Sequence, residues 1–144
     1  MRNSHRAFVS TLCGGFVASL LGCSGAQTYQ PRSSAIANSS DARIVANASK
    51  EEGQTRLDLT IEHLAPPDRV ADRGARYVVW YRHDDSRHWK RVGVLDYDVG
   101  SRRGQLAQTT VPELAFDLEV TDESSNAPED PSSAVVVSQH VVAN

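Results

Sequence analysis

Hydrophobic and polar residues alternate with a period of two along much of the chain. Leu57, Leu59 and Ile61 alternate with Asp58, Thr60 and Glu62, and Phe116, Leu118 and Val120 alternate with Asp117, Glu119 and Thr121. Successive side chains of a strand point to opposite faces, so this pattern sets one face in a core and the other in water. Seven runs carry it, at roughly 42–48, 54–63, 75–83, 88–97, 103–110, 114–122 and 133–142. Turn formers separate them: Glu52-Gly53, Pro66-Pro67, Asp84-Asp85-Ser86, Gly100, Pro112, and the Asn126–Ser133 stretch with Pro128 and Pro131. No window shows a helical stripe with capping signals. The pattern predicts an all-β fold, an antiparallel sandwich of about seven strands of the immunoglobulin-like kind. The run from Ala75 to Tyr81 is the most uniformly apolar, which predicts a central strand with Trp80 in the core.

The N-terminus follows a different pattern. Ala7 to Leu21 carries no charge and is rich in Val, Leu, Phe, Ala and Gly, and Arg2, His5 and Arg6 precede it. A basic start and an apolar run shorter than the ~20 residues of a membrane span form the architecture of a secretory signal. The run ends in Leu20-Leu21-Gly22-Cys23, which resembles the lipobox of bacterial lipoproteins. The resemblance implies a diacylglyceryl group on the Cys23 sulfur, removal of residues 1–22, and Cys23 as the new N-terminus. Acyl chains contribute ~0.8 kcal/mol per buried CH₂, enough in combination for a stable anchor. Ser24 stands where Asp marks inner-membrane retention in such lipoproteins. This implies the periplasmic face of the outer membrane in a Gram-negative cell, or otherwise the outer leaflet of the plasma membrane. Residues 24–41, SGAQTYQPRSSAIANSSD, consist largely of Ser, Ala, Gln and Asn taken together and lack periodicity. They predict a flexible tether over 23–41, which leaves 42–144 as one domain of about 100 residues.

Composition narrows the function classes. The chain has 144 residues, 40% of them hydrophobic, and a formal charge of -3. That apolar share excludes wholesale disorder, and the charge argues against a generally basic nucleic-acid binder. Two cysteines exclude a disulfide-dense scaffold and a zinc site built on four Cys, and Cys13 would leave with the signal. Lys and Arg crowd into residues 68–103, whereas Gly104 to Asn144 holds none and carries Glu113, Asp117, Glu119, Asp122, Glu123, Glu129 and Asp130. A basic half offers a surface to anionic headgroups, polyanionic glycans or an acidic protein. Asp residues interleave with the basic ones, however, and adjacent strands pair the two halves, so mutually compensating faces are expected.

The loop His83-Asp84-Asp85-Ser86-Arg87-His88 gathers imidazoles and carboxylates, the ligands of zinc and copper. The plainer reading is a polar hairpin loop with Asx-type turn residues, since no spacing matches a metal motif. No cofactor is expected. Trp80, Tyr81, Trp89 and Tyr97 fall on neighbouring predicted strands, and Trp89 is flanked by His88 and Lys90. Arg87, Trp89, Arg91 and Tyr97 are therefore the candidate surface contacts for a protein or glycan partner. The chain shows no Ser/His elbow, no phosphate-cradling Gly loop and no reactive thiol in the domain, so an enzyme is not expected.

A further resemblance rests on the order of the core strands. A Leu-rich strand and Ala65-Pro66-Pro67 precede Tyr77-Val78-Val79-Trp80-Tyr81, then Val92-Gly93-Val94-Leu95 and Arg103-Gly104-Gln105-Leu106. Phe116-Asp117-Leu118-Glu119-Val120-Thr121, a Pro-containing loop and Val135-Val136-Val137-Ser138 complete the series. This resembles the extracytoplasmic C-terminal domain of anti-sigma-K factors. The resemblance implies a β-sandwich of the sensor side. The family's cytoplasmic sigma-binding part has no counterpart here, because the lipobox and tether stand in its place, so no contact with a sigma factor is expected. The expected function is that of a lipid-anchored, non-catalytic interaction module of the cell envelope. The alternative is a small envelope metal-binding protein or hydrolase that uses the His83–His88 loop.

Overall fold

Alternation along the chain becomes two stacked antiparallel sheets. A computed structural model describes residues 25–83, 86–124 and 128–143. Its strands are β1 (Gln27–Tyr29), β2 (Asp41–Ser49), β3 (Gln54–Glu62), β4 (Arg76–Arg82), β5 (Lys90–Val94), β6 (Asp96–Asp98), β7 (Arg103–Val111), β8 (Ala115–Glu123) and β9 (Val135–Val142). One helical turn, α1 (Pro67–Val70), begins at the second residue of the Pro pair. One sheet has the order β1-β2-β3-β7-β6 and the other β5-β4-β8-β9. Without β1, these are the two sheets of an immunoglobulin-like sandwich with one extra edge strand, β5.

All seven predicted runs form strands, and two differences raise the count to nine among the described residues. The first is a change of sheet within the run 88–97. Leu95 carries the chain from β5 in one sheet to β6 in the other, and its N–H donates to the Tyr77 carbonyl at 2.9 Å. The second is at the N-terminal boundary. The sandwich begins at residue 27 rather than 42, because β1 pairs with β2 from Gln27↔Ala46 to Tyr29↔Ile44. Residues 30–40 then pack along the edge: Ser33 bridges Val137, the Ser34 N–H donates to the Val136 carbonyl at 2.8 Å, and Ala37 is buried. This Ser-rich segment is ordered by hydroxyl and backbone bonds rather than by apolar alternation, and periodicity does not register such bonds. The signal run, Cys23 and Ser24 lie outside the described residues. Among the described residues no helix is long and apolar enough to cross a membrane.

The core lies between the sheets. Ile44, Leu57, Leu59 and Ile61 of one sheet meet Tyr77, Val79, Phe116, Leu118, Val120 and Val141 of the other, all fully or almost fully buried. Each such aliphatic side chain contributes ~1.5–3 kcal/mol on burial. Tyr81 and Phe116 meet edge to face at 6.1 Å between centroids. Trp80 is fully buried, as the sequence predicts, but it does not belong to this core cluster. Its neighbours Val79 and Tyr81 point inward, so its indole lies on the opposite face of the sheet.

Candidate functional site

The outer face of the four-stranded sheet carries a linked set of polar side chains. Register places Arg82 opposite Asp117 and Asp117 opposite His140. The Arg82 guanidinium donates to Asp117 Oδ2 through Nε at 3.0 Å and through Nη2 at 2.9 Å. It also covers the Trp89 ring at 4.7 Å from the centroid. His140 Nδ1 lies 3.0 Å from the other Asp117 oxygen. Burial pushes Asp117 up, but the hydrogen bonds from His140 and Arg82 and the Arg82 charge outweigh it, so its carboxyl stays below the usual carboxylate range. Glu119 follows on the same face between Trp80 and Ser138, and burial pushes its carboxyl up.

This arrangement redistributes the predicted surface contacts. Arg87 and Arg91 are exposed, and Arg91 sits beside Trp80 in register. Trp89 is half-buried, with one face of its ring taken by Arg82. Tyr97 does not share this face. It lies on β6 in the other sheet, stands edge to face against Tyr77 at 5.6 Å, and donates to the Leu64 carbonyl at 2.9 Å. The change of sheet at Leu95 separates it from Trp89.

His83 and His88 are exposed at the β4–β5 hairpin end. The Ser86 N–H donates to the His83 carbonyl at 2.8 Å, and the His88 N–H donates to Ser86 Oγ at 3.1 Å. This is the local hydrogen bonding of a polar turn. Asp84 and Asp85 lie outside the described residues. Among the described residues no three His, Cys, Asp or Glu side chains gather as metal ligands do.

Sequence reasoning missed an acidic pair at the opposite end of the sandwich. Asp122 and Glu123 at the end of β8 are only 2% and 5% exposed. Glu123 Oε1 accepts from Thr121 Oγ1 at 2.5 Å and from the Ser132 N–H at 2.7 Å. Thr121 Oγ1 in turn accepts from Trp80 Nε1 at 2.8 Å, which accounts for the indole's outward burial. Asp122 Oδ2 accepts from the Ala71 N–H at 3.1 Å, while Oδ1 has no partner among the described residues. Gly74 runs so close that a Cβ there would overlap Asp122 Oδ2 and the Pro67 carbonyl oxygen. Burial, aided by the Glu123 and Asp68 charges and opposed by the Ala71 N–H, pushes the Asp122 carboxyl up to about 7. A signal for it exists in the sequence: Asp122 continues the parity of Phe116, Leu118 and Val120, the apolar side of β8.

The chain matches no protein-family model, no curated protein and no solved structure.

Proposed function

We propose that this protein is a lipid-anchored, non-catalytic binding module of the bacterial cell envelope, held through an acylated Cys23. One observation carries the reading. The first strand begins at Gln27, so only Ser24, Gly25 and Ala26 separate it from the lipobox cysteine. At ~3.4 Å per residue that stretch spans at most ~14 Å, which holds the sandwich against the surface that anchors it. Gln27 pairs with Ala46 near the β2–β3 turn. The β7–β8 turn and the β4–β5 hairpin lie at the same end, since Thr55 pairs with Val111 and Arg82 with Asp117. That end faces the membrane, and the end with α1 and Asp122 faces away from it.

The immunoglobulin-like strand order supports the likeness to the sensor side of anti-sigma-K factors. Binding is favoured over catalysis because the outer-face groups Arg82, Asp117 and His140 are committed to one another rather than to an open cleft. Exchange of Cys23 for Ala tests the anchor. The wild-type protein is expected to incorporate labelled fatty acid and to stay with membranes after alkaline washing, and the variant to lose both properties. A soluble, unlabelled wild-type protein would refute the reading.

A further inference from the structure

We propose that an open groove on the outer face of the five-stranded sheet binds an anionic sugar, one that carries a carboxylate or a phosphate. The inference rests on the reading of this chain as a binding module, but it does not depend on the anchor. It concerns a surface distinct from the Trp89 face.

The floor of the groove is Arg43 on β2, Thr60 and Glu62 on β3, and Arg103 on β7. Arg43 pairs with Thr60 in register, and Asp41 pairs with Glu62, so the floor is a patch of adjacent strands. Its wall is the segment from Gln30 to Ser40, predicted from sequence to be a tether. The volume of the groove is about 750 Å³, within the ~300–1,000 Å³ of small-molecule sites.

The wall is fixed without any ligand. Ser33 Oγ donates to the Ser40 carbonyl at 2.7 Å and lies 2.7 Å from the Ser40 hydroxyl. Ser40 Oγ donates to the Ala37 carbonyl at 2.8 Å. Together with the Ser34 bond to Val136 and the burial of Ala37, these bonds tie residues 33–40 to the edge of the sandwich. A site ordered in advance loses less conformational freedom on binding.

The charges of the groove are unevenly matched. Glu62 is ion-paired with Arg103 at 3.2 Å, and Asp41 Oδ2 is hydrogen-bonded to His63 Nδ1 at 3.1 Å. The exposed guanidinium groups of Arg32 and Arg43 make no ion pair or hydrogen bond among the described residues. Two uncommitted guanidinium groups beside carboxylates that already have partners leave the groove attractive to anions. Their planar forks fit carboxylate and phosphate oxygens bidentately. The amides of Gln30 and Asn38 and the hydroxyl of Thr60 supply donors and acceptors suited to ring hydroxyls. Of the two apolar residues of the lining, Pro31 is half-buried and Ala42 belongs to the buried core, so an apolar ligand would find little surface there.

The test is titration of the full-length protein as the cell produces it, acylated or not and in detergent micelles where needed, followed by calorimetry and amide chemical shifts. The probes are glucuronate, glucose 6-phosphate, trigalacturonate, glucose and inorganic phosphate. The anionic sugars are expected to bind, with shifts confined to residues 30–43, 60–62 and 103, while glucose and inorganic phosphate bind at least ~10-fold more weakly. Arg32→Gln and Arg43→Gln should each weaken binding by ~10-fold or more, as the loss of a charge-assisted bond predicts. Arg56→Gln, on the same face at the other end of β3, should leave it unchanged. Tighter binding of trigalacturonate than of glucuronate would identify a sugar within a polymer, and equal binding a free sugar; both support the site. The proposal falls if glucose or inorganic phosphate binds as well as the anionic sugars, if no probe saturates, or if Arg56→Gln weakens binding as much as the groove variants. Unfolding curves for each variant separate lost binding from lost folding.

Discussion

Asp122 occupies a position on β8 that the alternation of its strand reserves for apolar side chains. Its carboxyl is pushed up to about 7, from an ordinary 3.8, first by burial and then by the Glu123 and Asp68 charges. The sign of the consequence follows from proton linkage. Below the ordinary value both folded and unfolded chains hold the proton, and the contribution of the group to stability is fully present. As pH rises towards 7 the unfolded chain ionises and the folded one does not, so stability falls through that window and the loss is complete above it. Asp122→Asn keeps an acceptor for the Ala71 N–H and removes the titration. Urea unfolding at pH 5 and pH 8 should show the wild type losing on the order of 3 kcal/mol between them and the variant losing little. The variant should also be the more stable of the two at pH 8. Equal pH slopes in the two proteins would exclude Asp122 as the source. The residue was legible in the sequence by parity, but a lone acid at the end of an alternating strand reads equally as the start of a loop.

At the scale of the element, the strands were legible wherever burial alone specifies them. The runs of β2, β3, β7, β8 and β9 are visible because one face of each packs against the opposite sheet, and that of β4 because both its faces are buried. β1 was not, since Gln27–Tyr29 has no repeat long enough to show a period. Its place is fixed by Tyr29, whose hydroxyl donates to the Val142 carbonyl at 2.7 Å and accepts the Val142 N–H at 3.0 Å. One side chain thus satisfies both backbone groups of a β9 residue from the edge of the other sheet, closing one side of the sandwich. Leu95 escapes sequence reading for a related reason: a change of sheet keeps the alternation intact while it alters which strands are neighbours. This is why Trp89 and Tyr97 read as one face and stand on two sheets. Tyr29→Phe should cost ~1 kcal/mol of stability, the net worth of such a hydrogen bond. Hydrogen exchange at the Val142 amide should quicken while that of Val120 in the core does not. Unchanged exchange at Val142 would mean that the clamp contributes nothing.

For the whole molecule, the three residues between Cys23 and β1 would turn the proposed anchor into an orientation. If the acylated cysteine is in the bilayer, the hairpin end with Arg87, Trp89 and Lys90 lies at the headgroups, and the groove lined by Arg32 and Arg43 lies towards the opposite end of the sandwich. A binding site for an anionic sugar is better placed there, because the phosphates of a bilayer would otherwise compete for the same guanidinium groups. The two tryptophans report on this arrangement. Trp80 is fully buried and insensitive to a quencher at the membrane surface, whereas half-buried Trp89 is within reach. Headgroup-attached quenchers in vesicles carrying the lipidated protein should therefore dim Trp89 emission and leave that of the Trp89→Phe variant unaffected. A Gly/Ser insertion of ~20 residues between Gly25 and Ala26, with a mean span of ~25 Å, should relieve the quenching without releasing the protein from the vesicles. Persistent quenching with the long linker would mean that the hairpin binds lipid by itself. Absence of quenching in the unmodified protein, still vesicle-bound, would mean that the sandwich stands off the membrane in spite of its short connection.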